Sequence, residues 1–346
     1  MIISAQGSFS YTDGQSRGIF SQAEFRVDDA RIFVESQIRR NTYLFGELIL
    51  TQRETNDEAF HLGEFYLDLE NPLGDAVADR LVNLRLGRLG IPFGQEYLLR
   101  NPIRNPLISH SVGDFWGIDE GMEVYGDISS FSYVLAVQNG GVSRLRDFNR
   151  DKSVTARISW KPLSNVQLSL SGFRTGKLDR ARDSTSEMWI ANAFFRSIGK
   201  AASTRTYQAE LGQFDASWTW ASGSLSASAG TGRYSDDDST ADNRRTFDFY
   251  QAQLVQEIWN KLYSAFRYSS LWTDRGYYLR GLGSYGEYFL GETLTRRISR
   301  FSLGAGYRFS PDLKLKIEYT WEDARKLNGG KRPDEDQFAA EVAVKF

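Results

Sequence analysis

The sequence predicts an all-β protein, a transmembrane antiparallel up-and-down β-barrel of about sixteen strands, and three observations predict it. Apolar residues recur at every second position in many windows of about ten residues, the spacing of a strand with one apolar and one polar face. Connections alternate short and long, as in a meander whose two ends differ. Aromatic residues make up 14% of the chain and gather where these windows end.

In the N-terminal half, short turns are expected near Arg40 to Asn41 and Asp127 to Ser130, and longer loops near Thr55 to Phe60, Ile91 to Trp116 and Asn139 to Asp151. In the C-terminal half the short connections are Pro162 to Asn165, Ala221 to Ser224, Trp259 to Lys261 and Ser310 to Asp312. Between them lie long polar ones, roughly Thr175 to Thr204, Tyr234 to Arg245, Thr273 to Thr293 and Asp323 to Asp334. The strand windows are clear between these points. "SVTARISWKP" sets Val154, Ala156, Ile158 and Trp160 against Thr155, Arg157, Ser159 and Lys161, and "DLKLKIEYT" sets Leu313, Leu315, Ile317 and Tyr319 against Lys314, Lys316, Glu318 and Thr320. An even strand count puts both termini at the short-turn end. No linker or shift of composition divides the chain, so residues 1–346 read as one domain.

A soluble sandwich or propeller also alternates, but its strands run to about 5–6 residues. Many runs here reach the ~9–11 residues that a tilted strand needs to cross a bilayer. Trp160, Trp218, Trp220, Trp259 and Phe309 all stand beside short turns, where an interfacial girdle would form. In lipid every backbone polar group needs an internal partner, which strands achieve only by closing a barrel. Such a barrel carries polar residues inside, which accounts for a mean hydropathy of −0.44. A formal charge of −2 offers no basic footprint for nucleic acid, and the absence of Cys removes disulfides, thiolate metal sites and cysteine nucleophiles. No signal peptide precedes "MIISAQGSFSY", so an export signal is expected to have been removed.

The last window places Phe338, Ala340, Val342, Val344 and Phe346 on one face and ends on the bare aromatic. This end resembles the C-terminal signature by which bacterial outer-membrane barrels are recognised for assembly. That resemblance assigns Val342, Val344 and Phe346 to the assembly signal and the barrel-assembly machinery as their partner.

The longest connection of the N-terminal half, "GIPFGQEYLLRNPIRNPLISHSVGDFWGIDEG", carries Pro92, Pro102 and Pro106 and so reads as a shaped loop that would narrow a barrel if folded into it. "LRLGRLGIPFGQE", with Gly87, Arg88, Pro92, Phe93, Gly94 and Glu96, resembles the G-(K/R)-x-x-x-P-F-G-x-E segment of the phosphate-selective porin family. "FWGIDEGMEVYG" and "DDARIFVESQIRRNTYLFGELIL" are similar to neighbouring stretches of that family, so the likeness covers roughly residues 25 to 127. It implies a homotrimer of sixteen-stranded barrels in the outer membrane of a Gram-negative bacterium, each with its third loop, about 91–116, folded inward as the constriction.

The expected function is passive diffusion of small polar or charged solutes through a water-filled channel, with outer-membrane lipid around it and no cofactor, metal or catalysis. The expected constriction residues are Arg85, Arg88, Glu96, Arg100 and Arg104, with Asp114, Asp119 and Glu120 as acidic counterparts. Arg39, Glu47, Arg157, Arg267, Arg300, Arg308, Lys314 and Lys316 are expected to line the lumen. The family's phosphate-binding members resemble one another in a ladder of arginines, and no such ladder stands out here. The alternatives are a barrel that sheathes a partner such as an electron carrier, which needs a lumen without an inward loop, and a hydrolase. The second would need Ser109 or Ser111 within reach of His110, one of only two histidines, and an acid. "DDDSTADN", Asp236 to Asn243, has oxygen donors for Ca²⁺ but lacks EF-hand spacing and reads as a solvated loop. "GLGSYG", Gly281 to Gly286, precedes no helix and reads as ordinary loop glycine.

Overall fold

A computed structural model describes residues 1–14, 23–52, 60–74, 80–140, 150–179, 189–190, 193–194, 204–240, 242–277, 294–332 and 336–346. Among these the long strands are β1 (Ile2–Gly14), β2 (Glu24–Arg39), β3 (Thr42–Gln52), β4 (His61–Leu69), β5 (Asn83–Gly90), β6 (Ile118–Ile128), β7 (Phe131–Gln138) and β8 (Ser153–Leu163). They continue as β9 (Val166–Arg174), β10 (Thr206–Trp220), β11 (Gly223–Asp236), β12 (Arg245–Trp259), β13 (Leu262–Tyr277), β14 (Thr295–Ser310), β15 (Leu313–Lys326) and β16 (Gln337–Lys345). Each pairs antiparallel with its sequence neighbours, and β1 pairs with β16 from Gln6↔Lys345 to Gly14↔Gln337. That seam closes the barrel and removes both edges. A two-residue strand, Leu178–Asp179, joins the end of β10, and Trp189–Ile190 pairs with Ala193–Phe194.

Phe346 is part of the seam. Its amide donates to the Ala5 carbonyl at 2.9 Å, and its own carbonyl accepts from the Ala5 amide at 2.6 Å. Two-residue turns stand at 40–41, 129–130, 164–165, 221–222, 260–261 and 311–312, where the short connections were expected. Asn41, Ser129 and Lys261 hold positive φ in them (59°, 56° and 69°), the conformation favoured in tight hairpins. The β4–β5 connection, 70–82, departs from the short-turn rule at that end.

The polarity of the barrel is inside out. In β15, Lys316, Glu318 and Thr320 are at most 4% exposed, while Leu315, Ile317 and Trp321 are 38–48% exposed. In β8, Ser153, Thr155 and Ser159 are buried, whereas Val154, Ile158 and Trp160 face out. Aromatic pairs mark the short-turn end, with Phe131 stacked on Trp160 at 5.9 Å and Trp218 beside Trp220 at 4.9 Å. Inside, the largest apolar cluster joins Ile91, Phe93, Val112 and Phe115 of the long β5–β6 connection to residues at the long-loop ends of β9 to β15.

Candidate functional site

The 91–117 connection is built by the residues that carried the family resemblance. Gly87 has φ of +142°, and a Cβ there would overlap the Phe65 carbonyl oxygen, so only glycine lets β4 and β5 meet at that point. Phe93 is 1% exposed and packs edge-on against Phe115, with ring centroids 5.1 Å apart. Gly94 turns with φ of +69°, its amide donating to Ser171 Oγ at 3.1 Å and its carbonyl accepting from Arg157 Nη1 at 2.8 Å. Glu96 opens a 3₁₀ turn, Glu96–Leu99, and its carboxylate accepts the Ser111 amide at 2.8 Å and the Ser111 hydroxyl at 2.5 Å. The Ile91 amide donates to the Gly117 carbonyl at 2.8 Å, which ties the base of the connection together.

From 102 to 112 the connection hydrogen-bonds to inner-face side chains of β13, β14 and β15. Arg267 donates to the Ser109 carbonyl at 2.7 Å and to Asn105 Oδ1 at 3.2 Å, and Arg300 to the His110 carbonyl at 3.2 Å. Lys316 Nζ donates to the carbonyls of Pro102 and Leu107, both at 2.9 Å, and Lys314 to that of Ile103. Glu318 accepts the amides of Ile108 at 2.5 Å and Ser109 at 2.9 Å, and the Ser109 hydroxyl. Arg267, Arg300, Lys314 and Lys316 therefore lie on the inner face, 1–8% exposed, with their cationic heads on backbone carbonyls of the connection. The reason is that a connection in this position has carbonyls with no strand partner, and cations satisfy them.

The β2–β8 side of the barrel keeps a different set of charges. Arg85 bridges Asp68 at 2.9 Å and Glu123 at 3.0 Å and lies over the Tyr125 ring at 4.3 Å. Arg31 bridges Asp29 and Glu47, each at 2.8 Å. Arg157 stands over the Tyr97 ring at 5.0 Å, and burial pushes the Tyr97 phenol up. A cavity of about 110 Å³ separates Arg26, Asp28 and Arg31 of β2 from Arg100, His110 and Lys316. Arg100 pairs with Asp114 and covers the Trp116 ring at 4.5 Å, Arg104 is exposed on the connection, and Arg308 lies over Tyr263 at 4.5 Å. Arg39 is exposed beside the 40–41 turn.

Three expected constriction residues stand elsewhere. Glu120 belongs to β6, where it alternates with Asp119 and Glu123 and so shares the outward face of Met122. Its cross-strand partner Arg88 shares the outward face of Leu86, and the two form an ion pair at 2.8 Å beside exposed Phe65. Asp119 is fully buried, and its carboxylate accepts the amides of Glu120 at 2.8 Å and Gly140 at 2.6 Å, so it braces the mouth of the hairpin. Arg31, Tyr97 and Glu123 were missed. For Glu123 the signal was present in the two-residue period, since it lies four positions from Asp119 and shares its face, whereas Tyr97 stands in the 3₁₀ turn, where no such period runs.

The serine hydroxyls beside His110 both donate to carboxylates, Ser109 to Glu318 and Ser111 to Glu96, so neither is spent on an imidazole. Burial, followed by the positive charges of Arg100, Arg267, Lys316 and Arg300, holds His110 well below the usual imidazole range. The carboxylates of Asp236, Asp237, Asp238 and Asp242 accept hydrogen bonds from within the stretch and from Arg205, Thr206, Tyr234 and Arg244 beside it. The Asn243 amide donates to Asp236 and Asp238, both at 3.0 Å, and Thr240 donates to Asp238 at 2.7 Å. Gly281 to Gly286 lie outside the described residues.

A polar interior and an apolar exterior on sixteen antiparallel strands closed by the β1–β16 seam define the class by its fold, the closed sixteen-stranded β-barrel. Among solved structures the chain is similar to the outer membrane channel DcaP of Acinetobacter baumannii, with a TM-score of 0.66 and 9% identity over 100% of this chain and 96% of that one. It is also similar to OmpT, an outer membrane protein of Vibrio cholerae, with a TM-score of 0.63 and 9% identity over 100% and 97% of the two chains. The anion-selective porin from Comamonas acidovorans gives 0.61 and 9% over 99% and 98%. At such identities the likeness is one of fold. No protein-family model and no curated protein matches the sequence.

Proposed function

We propose that this protein is a passive channel of the outer membrane of a Gram-negative bacterium, open to small polar or charged solutes, with the 91–116 segment folded inward as its constriction. The observation that carries the reading is the inside-out polarity of a closed barrel. Leu315 and Ile317 are exposed where Lys316 and Glu318 are buried, an order that suits lipid outside and water or protein inside. Hydrogen bonds from β13–β15 to residues 102–112 support the inward fold and weigh against a sheath, which needs a clear lumen. Solute would pass between the segment and the wall that carries Arg31, Arg85 and Glu123. Those cations already sit on carboxylates, so selectivity is expected to be modest and the arginine-ladder behaviour of phosphate-selective relatives is not carried over. The closer kinship to that family, and a homotrimer, remain part of this proposal and rest on the Gly87 to Glu96 motif.

The test is single-channel recording in a planar bilayer with a KCl gradient. Stepwise openings are expected from the wild type, and a changed reversal potential from Arg85→Ala. Folded, inserted protein that passes no current would overturn the channel reading.

A further inference from the structure

The sequence separates Glu96 from His110 and Asp114, and the fold of the 91–117 connection brings the three together. Their ligand atoms all lie within 4.8 Å of one another, the one such group among the described residues. His110 Nδ1 stands 4.0 Å from Glu96 Oε1 and 3.7 Å from Asp114 Oδ2. Those separations exceed hydrogen-bonding distance. They are a little longer than the spacing of two ligands on one tetrahedral ion, about 3.3–3.6 Å for metal–ligand bonds of ~2.0–2.2 Å. Closing the set takes a contraction of a few tenths of an ångström at the two His110 pairs and of up to about 1.3 Å between Glu96 and Asp114, within a turn that lies inside the barrel. An independent observation points to the same place. The Asp114 side chain is 4% exposed, and its Oδ1 is buried without a hydrogen-bond partner. Arg100 engages the other oxygen, Oδ2, which is the one 3.7 Å from His110 Nδ1, so Oδ1 serves as the ligand once the carboxylate turns toward the imidazole with the ion pair kept. Glu96 also keeps acceptor capacity, since each carboxylate oxygen carries two lone pairs and Ser111 uses one direction on each.

We infer that Glu96, His110 and Asp114 form a divalent transition-metal site of the Zn²⁺ class, which staples the 3₁₀ turn to the returning limb of the connection. One imidazole and two carboxylates, with water in the fourth position, suit zinc. Calcium and magnesium would ask for six or more oxygens and no nitrogen. The binding inference stands without the channel reading; only its consequence, a stiffer segment beside the solute path, rests on that reading.

The experiment uses tag-free, full-length protein folded in detergent and stripped with EDTA. ZnCl₂ is titrated by calorimetry, and CoCl₂ by its visible ligand-field absorption. One saturable zinc per chain is expected, with a tetrahedral cobalt spectrum, and His110→Asn weakens binding by about tenfold or more. His61→Asn, at the other histidine, binds as the wild type does. Circular dichroism and heat-modifiable migration establish that each variant is folded, and Glu96→Gln serves if His110→Asn is not. Absence of saturable binding, or unchanged binding in a folded ligand variant, overturns the site. Calorimetry needs no ion flow, so failure of the site and failure of the channel are told apart.

Discussion

The β13–β15 and β2–β8 parts of the barrel wall both carry inner-face cations and put them to different use. On β13–β15 the cations Arg267, Arg300 and Lys316 are almost wholly buried and hold the carbonyls of residues 102–110. On β2–β8 Arg85 remains 31% exposed and is neutralised by two carboxylates across neighbouring strands. Arg300 and Lys316 pair with Glu322 at 2.8 Å and Glu341 at 2.5 Å as well, so carboxylate pairing is common to both walls, and what differs is whether an unpaired stretch of backbone lies opposite. An inner-face arginine thus holds backbone of the connection on one wall and, on the other, stands partly exposed where the proposed solute path would run.

The largest effect is expected from the apolar side of the fastened wall. Phe93→Ala removes a buried ring from the Phe115 and Phe173 cluster and should cost about 3–5 kcal/mol of local packing. The sixteen-strand ladder holds without it. Limited proteolysis should therefore cut within 91–117 while the barrel keeps its heat-modifiable migration, and single-channel conductance should rise. A protease-resistant connection in this variant would break the contrast between the two walls. Next comes Glu318→Ala, which strands the amides of Ile108 and Ser109. Charge-assisted hydrogen bonds contribute about 1.5–3 kcal/mol, and a loss in that range should appear as current noise more than as cleavage.

Architecture was legible in the sequence because a two-residue period and a turn every ten or so residues report directly on a strand with two unlike faces. The termini, six two-residue turns and the inner face of β15 follow from that pattern alone. Face assignment at the 117–120 boundary did not follow. Glu120 was grouped with the loop, yet strand pairing begins at Ile118, and within a strand a register shift of a single residue decides which face each acidic residue takes. The fate of Arg267 and Lys316 was also hidden, because besides Gln253 and Glu341 on adjacent strands their partners are backbone carbonyls more than a hundred residues away, and a carbonyl leaves no trace in composition.

The outward pair should matter for stability and leave conduction alone. Arg88→Leu isolates Glu120 on an apolar exterior and is expected to cost about 1–2 kcal/mol of barrel stability in urea. The double change with Glu120→Leu should recover it. Conductance and reversal potential should match the wild type in both. A changed reversal potential in Arg88→Leu would return that residue to the solute path.

Arg85→Ala should give the smallest shift and the most direct reading of the second wall. It leaves Asp68 and Glu123 without their shared cation, so the wall gains net negative charge. Cation preference should rise, and the reversal potential in a KCl gradient should move toward the potassium limit. The shift is expected to be a few millivolts and to fade above about 1 M salt, where the Debye length falls to ~3 Å. Arg267→Ala supplies the comparison, since its charge is spent on Ser109 and Asn105. Its loss should loosen the connection before it alters selectivity. If Arg267→Ala moved the reversal potential as far as Arg85→Ala at matched conductance, both walls would face solute alike, and the division between fastener and solute-facing charge would fall.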